Sequence, residues 1–387
     1  GFRIELGEIE ATMSQSEGIR NAKVIVNESD SANKKLHAYV EVDESLPLLT
    51  NFLSLLQNKK VQKTDVNILP NGLPIIGSNQ NEVKFLYNEI FKHNSYLKHG
   101  IKLSEDSVVL DIGANVGFFT VFLNILSEDI TVYSFEPIPE VYNQLQANRF
   151  LYNIKGKGFQ LALLDKEQEI EFEYYPQMSI LSGISADKDK VKEVVRSYVE
   201  NSEKEGLLTE EIDSLLDVKL ESIKVKCQSK TLSQVIAEEK IEKIDLLKVD
   251  VENSEHLVIS GIQDKDWEKI NSLIIEVHDV DGRLKEMQQL LTGKGFKTHV
   301  EKENLLSKDD VLYNIYAHRK DVKKHLSSLG ENETLRKSRW IEPAEFVNNV
   351  RADIEKKLPA YMVPSQIILL DQFPLTHNGK IDKKALI

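Results

Sequence analysis

The sequence predicts an α/β fold in which a mainly parallel sheet carries helices on both faces. Between residues 107 and 319, apolar segments of strand length alternate with segments of helical periodicity. The strand segments have near-continuous apolar cores, which is typical of parallel strands buried on both faces. The first of them ends in the glycine-punctuated turn DIGANVG and leads directly into a helix start.

Within this part of the chain, strands are predicted at short apolar runs and helices where apolar positions repeat every three or four residues. Residues 186–217 are charged and amphipathic, and we expect two helices there that form an insertion. The other predicted elements are, in order, strand 108–113, helix 116–126, strand 131–137, helix 139–152, strands 159–165, 169–175 and 222–227, helix 232–239, strand 244–252, helix 254–260, strand 272–279, helix 281–293, and strands 297–303 and 312–319.

The two ends of the chain predict a second, smaller unit. A helix at 5–15 precedes strands at 22–26 and 37–42, and the composition shifts after the second strand. Near the other end, a polar linker at 320–340 leads to an amphipathic helix at 344–358, which Pro359 stops.

Composition excludes several classes of protein. The 387 residues suffice for two cores. The formal net charge of -13 argues against a nucleic-acid partner, and no apolar run reaches the roughly 20 residues of a membrane span. We expect no secretory signal. Cys227 is the one cysteine of the sequence, so intrachain disulfides and cysteine-based zinc clusters are excluded. We expect a cytoplasmic location and no metal.

The turn after the first strand of the α/β part predicts a ligand site. Asp111, Gly113, Asn115 and Gly117 lie between a hydrophobic strand and a helix. Glycine there allows a sharp turn and the close approach of a ligand. The spacing matches neither the dinucleotide fingerprint nor a phosphate loop with its lysine. A purely structural turn remains the alternative.

An acidic residue follows the next strand. Glu136, with Pro137 after it, lies about 25 residues beyond the turn, near the offset at which a carboxylate grips a ribose diol. The lack of a phosphate cradle, combined with such a carboxylate, favours S-adenosylmethionine over NAD as the cofactor. Asp111 is then expected near the positively charged amino-acid end of that cofactor.

Further residues are candidates for the cofactor pocket. Tyr96 and Asp165 are expected to contact the cofactor. Core packing is the alternative for the tyrosines. The other candidates for capping the cofactor, or for lining its adenine or acceptor side, are Tyr87, Glu89, His99, Met178, Ser179 and Ser182.

Three motifs, VVLDIGANVGFFTVF, SFEPIPEVYNQLQAN and LLKVDVENSEHLVISGI, resemble the FkbM-type methyltransferases. Other segments, such as YPQMSILSG and IIEVHDVDGRL, are similar to the branch of that family built into nonribosomal peptide and polyketide synthases. The resemblance spans roughly residues 66–318 and implies a class I, Rossmann-like fold and O-methylation. Asn253 departs from the glycine of many relatives, although asparagine tolerates a positive φ.

Methyl transfer requires an aligned acceptor and a group that removes its proton. Lys248, Asp250 and Glu252 share one face of a strand end, and Glu276 and His278 share a face of the next. His278 is the leading candidate for the general base, because its ordinary pKa suits neutral catalysis. Glu252 or Asp250 is expected to orient the imidazole or the hydroxyl, and Lys248 to pair with them. A structural histidine and a magnesium-binding carboxylate pair remain alternatives.

The segments GFRIELGEIEA and LPAYMVPSQIILLDQFPLTHNGKIDKKAL resemble the C-terminal subdomain of nonribosomal peptide synthetase adenylation domains. The resemblance implies an interrupted adenylation domain, with residues 1–44 and 338–387 forming one α+β subdomain around a methyltransferase at 45–337. Lys380 is implied to approach the acyl carboxylate in the intact parent. The large N-terminal adenylation subdomain is the expected partner, and we expect no adenylation by this chain alone.

We therefore predict a methyltransferase that acts on a hydroxyl of an acyl or aminoacyl group tethered to a carrier protein. Backbone N-methylation of a carrier-bound aminoacyl group is one alternative. A non-catalytic insertion that organises the synthetase is another. The insertion at 186–217 is expected to be either a lid over the acceptor or a solvated hairpin. The sequence leaves open the acceptor, the timing of methylation and the oligomeric state.

Overall fold

The computed structural model describes residues 5–27, 35–176, 178–184, 221–302, 312–319 and 340–386. The predicted insertion at 186–217 lies outside the described residues, and so does the predicted linker except for its last residue. The chain divides into two compact units, one of Gly1–Lys63, Pro70–Leu73 and Gly330–Ile387 and one of Thr64–Leu69 and Pro74–Leu329.

The described helices are α1 (Leu6–Met13), α2 (Pro47–Gln57), α3 (Gln80–Leu86), α4 (Phe118–Leu126), α5 (Pro139–Leu151), α6 (Leu232–Glu238), α7 (Glu255–Ser260), α8 (Asp264–Trp267), α9 (Arg283–Gly293) and α10 (Pro343–Glu355). The described strands are β1 (Ile19–Asn27), β2 (Lys35–Val42), β3 (Val66–Ile68), β4 (Pro74–Ile76), β5 (Val108–Ile112), β6 (Thr131–Phe135), β7 (Gly158–Phe159), β8 (Ala162–Leu163), β9 (Gln168–Tyr174), β10 (Ile223–Lys230), β11 (Leu246–Val249), β12 (Ser272–His278), β13 (Lys297–Lys302), β14 (Leu312–His318) and β15 (Gln366–Leu370).

The larger unit is built on a seven-stranded sheet in the order β13-β14-β12-β11-β5-β6-β7. Strand β14 runs antiparallel to both of its neighbours, and the other pairings between adjacent strands are parallel. The predicted α/β fold with a mainly parallel sheet is therefore confirmed. Strands β6 and β7 lie on one side of β5, whereas β11 and β12 lie on the other, so the chain changes direction across the sheet at β5 and β11.

Burial on both faces of the sheet explains why the sequences of the central strands are largely apolar. All four residues of β11 are buried, and so is every residue of α4. A helix that is apolar on all sides is stable only inside a protein. Strands β9 and β10, by contrast, leave the main sheet and form a small sheet with β8.

Residues 81–97 have apolar positions in a helical rhythm, but the helix there is shorter than this pattern predicts and changes its geometry. Helix α3 continues as a π-helical segment, Tyr87–Lys92. π-Helical turns are rare and occur frequently at functional sites. None of the helices in the described parts of the chain is long and apolar enough to cross a membrane.

The smaller unit joins the two ends of the chain in one sheet. Strand β15 pairs in parallel with β2, which pairs antiparallel with β1. Helix α2 belongs to this unit, because its apolar face is buried there and Phe52 packs edge-on against Trp340. The predicted methyltransferase segment began at residue 45 and so included α2, whereas the contacts of α2 extend the smaller unit to Lys63.

Candidate active site

A cavity of about 220 Å³ lies in the larger unit at the carboxyl ends of β5, β6, β11 and β12. The strand order of the sheet reverses between β5 and β11, and open α/β sheets bind their ligands at the carboxyl ends of the strands beside such a reversal. The predicted site residues that line the cavity are Tyr96, Gly113, Asn115, Glu136, Pro137, Lys248, Asp250, Glu252 and His278.

The turn after β5 is tightly folded against the neighbouring strands. Gly113, Asn115 and Gly117 have φ values of 73°, 51° and 93°, all in the left-handed region. A Cβ atom at Gly113 would lie 1.8 Å from the backbone oxygen of Asp250. The close approach that requires glycine is thus to the chain itself, and the same turn forms one wall of the cavity. Asn253 also has a positive φ, of 59°, as its sequence position suggested.

Glu136 follows β6 and points both carboxylate oxygens at fixed donors. Oε2 accepts a hydrogen bond from the Asn115 N–H at 3.1 Å, and Oε1 accepts one from the Ile138 N–H at 2.9 Å. Burial raises the pKa of Glu136 to about 7, although these two bonds oppose the rise. Each carboxylate oxygen has two lone pairs, so one on each oxygen remains for a ligand. A ribose diol fits this acceptor pair.

Lys248 carries a buried positive charge at the wall of the cavity. Its Nζ lies 3.1 Å from Asp111 Oδ1 and 3.3 Å from Asp250 Oδ2, and it donates to the Gly113 carbonyl at 2.9 Å. Burial opposes the charged form, but the two carboxylates outweigh it and raise the pKa of Lys248. The Tyr96 hydroxyl donates to Asp250 Oδ2 at 2.7 Å, which fixes the pocket side of this network.

Asp111 does not line the cavity. It is fully buried, and its second oxygen accepts a hydrogen bond from Thr120 Oγ1 at 2.7 Å. In this structure Asp111 therefore acts on the pocket through Lys248, whereas the sequence suggested a place beside the cofactor. Its predicted contact with a cofactor remains a prediction.

We expect Lys248→Met to lower the free energy of unfolding by about 3–5 kcal/mol, because it leaves Asp111 buried without its counterion. Lys243→Met is the matched control. Lys243 lies three residues before the start of β11, and its half-exposed side chain contacts Asp106 and Asp245 near the surface, so we expect a loss of no more than about 1 kcal/mol. Chemical denaturation measures both values, and equal losses in the two variants would contradict the buried role of Lys248.

His278 is held between two carboxylates. Its Nε2 lies 3.2 Å from Glu252 Oε2, and its Nδ1 lies 2.5 Å from Glu255 Oε1. Glu255 is fully buried, and Arg283 Nη1 lies 3.7 Å from its other oxygen. Burial lowers the pKa of His278, but the hydrogen bonds and charges of the two glutamates outweigh this effect and raise it to about 11.

This arrangement differs from the role predicted for His278. An imidazolium with both ring nitrogens engaged has no lone pair with which to accept a proton. The expected contact between Glu252 and the imidazole is present, but two acidic partners hold the ring in its charged form. The physical reason is Glu255, which the sequence did not single out. Glu255 is the first residue of α7, and the helix dipole favours an acidic residue there, so its sequence position gives no sign of a contact with His278.

The cavity is acidic at the end where these strands meet. Glu89 and Glu276 line it together with Asp250 and Glu252. Burial and the charges of Asp250, Glu252 and Glu89 raise the pKa of Glu276 well above its ordinary value. The raised pKa favours the neutral form of Glu276, and the remaining carboxylates at this end suit a cationic ligand such as the sulfonium of S-adenosylmethionine.

Most of the remaining candidates lie away from the cavity. Tyr87 is buried and stacks on Phe91 at 5.2 Å between ring centroids, as a core residue does. His99 stacks on His299 at 3.7 Å, and Asp165 is exposed. Met178 is not among the lining residues, whereas Ser179 and Ser182 are. Gly117 begins α4 without lining the cavity.

Lys380 lies in the smaller unit, in a turn that backbone hydrogen bonds close. The Thr376 N–H donates to the Lys380 carbonyl at 2.7 Å, and the Gly379 N–H donates to the Thr376 carbonyl at 2.9 Å. The described residues contain no group of three or more histidine, cysteine, aspartate or glutamate side chains placed to hold a metal ion.

Comparison with known proteins assigns the larger unit to a family. The profile of the Methyltransferase FkbM domain matches residues 111–298. The 31-O-demethyl-FK506 methyltransferase FkbM of Streptomyces tacrolimicus is 37% identical over 244 residues, which are 63% of this chain and 93% of that protein. The chain belongs to the FkbM methyltransferase family. A superposition on the crystal structure of the methyltransferase FkbM from Methylobacillus flagellatus covers 56% of this chain and 44% of that one at 12% identity, with a TM-score of 0.35.

The chain is also similar to synthetases. The AMB antimetabolite synthetase AmbE of Pseudomonas aeruginosa is 34% identical over 403 residues, which cover all of this chain. The chain spans only 18% of the length of AmbE. A short match of 43 residues, 11% of this chain and 1% of the relative, is 55% identical to Tyrocidine synthase 3 of Brevibacillus parabrevis.

Proposed function

We propose that the FkbM unit transfers a methyl group from S-adenosylmethionine to a hydroxyl of an acyl or aminoacyl group tethered to a carrier protein. The observation that carries the proposal is the cavity, in which a carboxylate with two free acceptor positions faces an acidic cluster across the strand ends. The name of the Streptomyces relative, which refers to an O-demethyl compound, favours oxygen as the acceptor atom.

The cavity residues fit the parts of this donor. Glu136 would accept the two ribose hydroxyls, and the apolar side chains of Phe135, Ile138 and Leu163 would lie against the adenine ring. The acidic end of the cavity would hold the positively charged part. The donor supplies an electrophilic methyl carbon, so the protein's task is to align the acceptor oxygen and take its proton.

We propose that Glu252 is the general base that takes the proton of the acceptor hydroxyl. Its carboxylate lines the cavity, and burial raises its pKa, which makes it a stronger base than an ordinary glutamate. The hydroxyl proton would pass to Glu252 as the acceptor oxygen takes the methyl group, and the donor would leave as a thioether. His278 positions Glu252, and Glu255 keeps the imidazole charged.

The similarity of the whole chain to AmbE and the short match to Tyrocidine synthase 3 support a place inside a synthetase. We propose that residues 1–44 and 338–387 belong to the C-terminal subdomain of an adenylation domain interrupted by the FkbM unit. The N-terminal adenylation subdomain and the carrier protein are then its partners, and Lys380 serves adenylation in the intact parent.

Intact-mass analysis of a carrier protein tests the proposal. The carrier is loaded with a hydroxyacyl, an aminoacyl or an unsubstituted acyl group and incubated with the protein and S-adenosylmethionine. We expect the mass of the hydroxyacyl carrier to rise by one methylene. Gain only on the aminoacyl carrier would indicate N-methylation, and gain on none, with no binding of the donor, would indicate a non-catalytic insertion.

A further inference from the structure

Glu82 lies in α3, outside the catalytic strand ends, yet it contacts the wall of the cavity. Its Oε1 accepts hydrogen bonds from Ser179 Oγ and from the Ile180 N–H, both at 2.7 Å. Burial raises the pKa of Glu82, and these two bonds oppose the rise. Ser179 and Ile180 line the cavity, so Glu82 fixes part of its wall from behind.

The hydrogen bonds continue from Ser179 to the carboxylate proposed to hold the ribose. Asn115 Nδ2 donates to Ser179 Oγ at 2.7 Å, while the Asn115 peptide N–H donates to Glu136 Oε2 at 3.1 Å. The directions agree, because the amide donates to the hydroxyl and the hydroxyl donates to the carboxylate of Glu82. We call Glu82, Ser179 and Asn115 the Glu82 bridge.

The same wall extends to the catalytic end of the cavity. Ser182 Oγ accepts a hydrogen bond from the Tyr175 N–H at 3.1 Å, and Gly183 pairs with Glu173. A Cβ atom at Gly183 would lie 3.1 Å from Glu252 Cβ, so the chain passes close against the proposed base. Residues 178–184 therefore run from the Glu82 bridge to Glu252.

We propose that Glu82 is a positioning residue for the methyl donor, which acts through Ser179 and Asn115 on the ribose grip of Glu136. Asn115 has a left-handed backbone, with a φ of 51°, and its side chain and peptide N–H are both bound. Loss of the charged acceptor at Glu82 frees the Ser179 hydroxyl and then Asn115, so the donor to Glu136 is no longer fixed. The inference rests on the proposed function, because it assumes that Glu136 binds the ribose.

Donor affinity tests this role. We expect Glu82→Ala to weaken the binding of S-adenosylmethionine roughly tenfold, the effect of losing about one charge-assisted hydrogen bond, while kcat at saturating donor stays unchanged. Glu82→Gln should restore most of the affinity, since its amide oxygen still accepts both bonds. Lys84→Ala, an exposed change in the same helix, is the control and should have no effect.

Coupling separates a positioning role from a general structural one. Ser179→Ala should weaken donor binding about as much as Glu82→Ala, and the double variant should be no weaker than either single one. Unchanged donor affinity in Glu82→Ala, or additive losses in the double variant, would overturn the inference and leave the proposed function intact. A wild-type protein that fails to bind the donor would instead contradict the proposed function itself.

Discussion

Replacement of Glu136 by alanine should abolish measurable binding of S-adenosylmethionine. The change removes the acceptor of both ribose hydroxyls and leaves the Asn115 and Ile138 N–H groups without their bonds at 3.1 Å and 2.9 Å. Charge-assisted hydrogen bonds contribute roughly 1.5–3 kcal/mol each, so the loss of two weakens binding about 100-fold or more. Isothermal titration calorimetry measures the affinity.

A second substitution at this position tests the geometry more closely. Glu136→Gln keeps the size of the side chain, but its NH₂ group must face one of the two backbone N–H donors. We therefore expect the glutamine variant to lose most of the affinity as well, because an amide satisfies only one of the donors. Glu140→Gln, at an exposed position in the first turn of α5, is the control. Wild-type affinity in either Glu136 variant would remove Glu136 from the cofactor site.

Glu252→Gln should lower kcat by about 10²–10⁴-fold, the usual effect of losing a general base. Donor affinity should change less than kcat, because Glu136 and the other acidic residues of the cavity remain in place. The amide keeps the shape of the side chain but cannot take a proton. Glu286→Gln, an exposed change in the first turn of α9, is the control. Steady-state methyl transfer at saturating donor gives kcat.

The pH dependence of kcat distinguishes Glu252 from His278 as the base. A glutamate base is active when ionised, so kcat should fall as the pH drops through the raised pKa of Glu252 and should stay level above it. A histidine base with a pKa of about 11 would instead give a rate that continues to rise tenfold per pH unit through the alkaline range. A continued rise of kcat in the alkaline range would indicate that His278, and not Glu252, is the general base.

The main sheet was predictable from the sequence because its strands are buried on both faces. A near-continuous apolar segment of strand length, such as VVLDIG at 108–113, is typical of a strand that helices cover on both sides. The departure of β9 and β10 into a small sheet was not foreseen, although their alternation is typical of strands with one exposed face. Lys224 and Lys226 on β10 pair across the strands with Glu171 and Glu169 on β9, each at 2.7 Å, on such a face.

The residues of the candidate site that lie at the ends of the strands were predictable from the sequence. Residues two apart share a face, and parallel strands end at one edge, so Lys248, Asp250 and Glu252 were expected near His278. Glu82 and Glu255 were missed because each lies in the first turn of a helix, which accounts for an acidic residue locally. The pKa of His278 depends on partners at positions 252 and 255, and only folding shows that both reach the ring.

The most direct test of the donor site is a crystal structure of the protein with S-adenosylhomocysteine. We expect density at the carboxyl ends of β5 and β6, with both ribose hydroxyls within hydrogen-bond distance of Glu136 and the thioether directed toward Glu252. Density at another place, or a ribose turned away from Glu136, would contradict the proposed donor site.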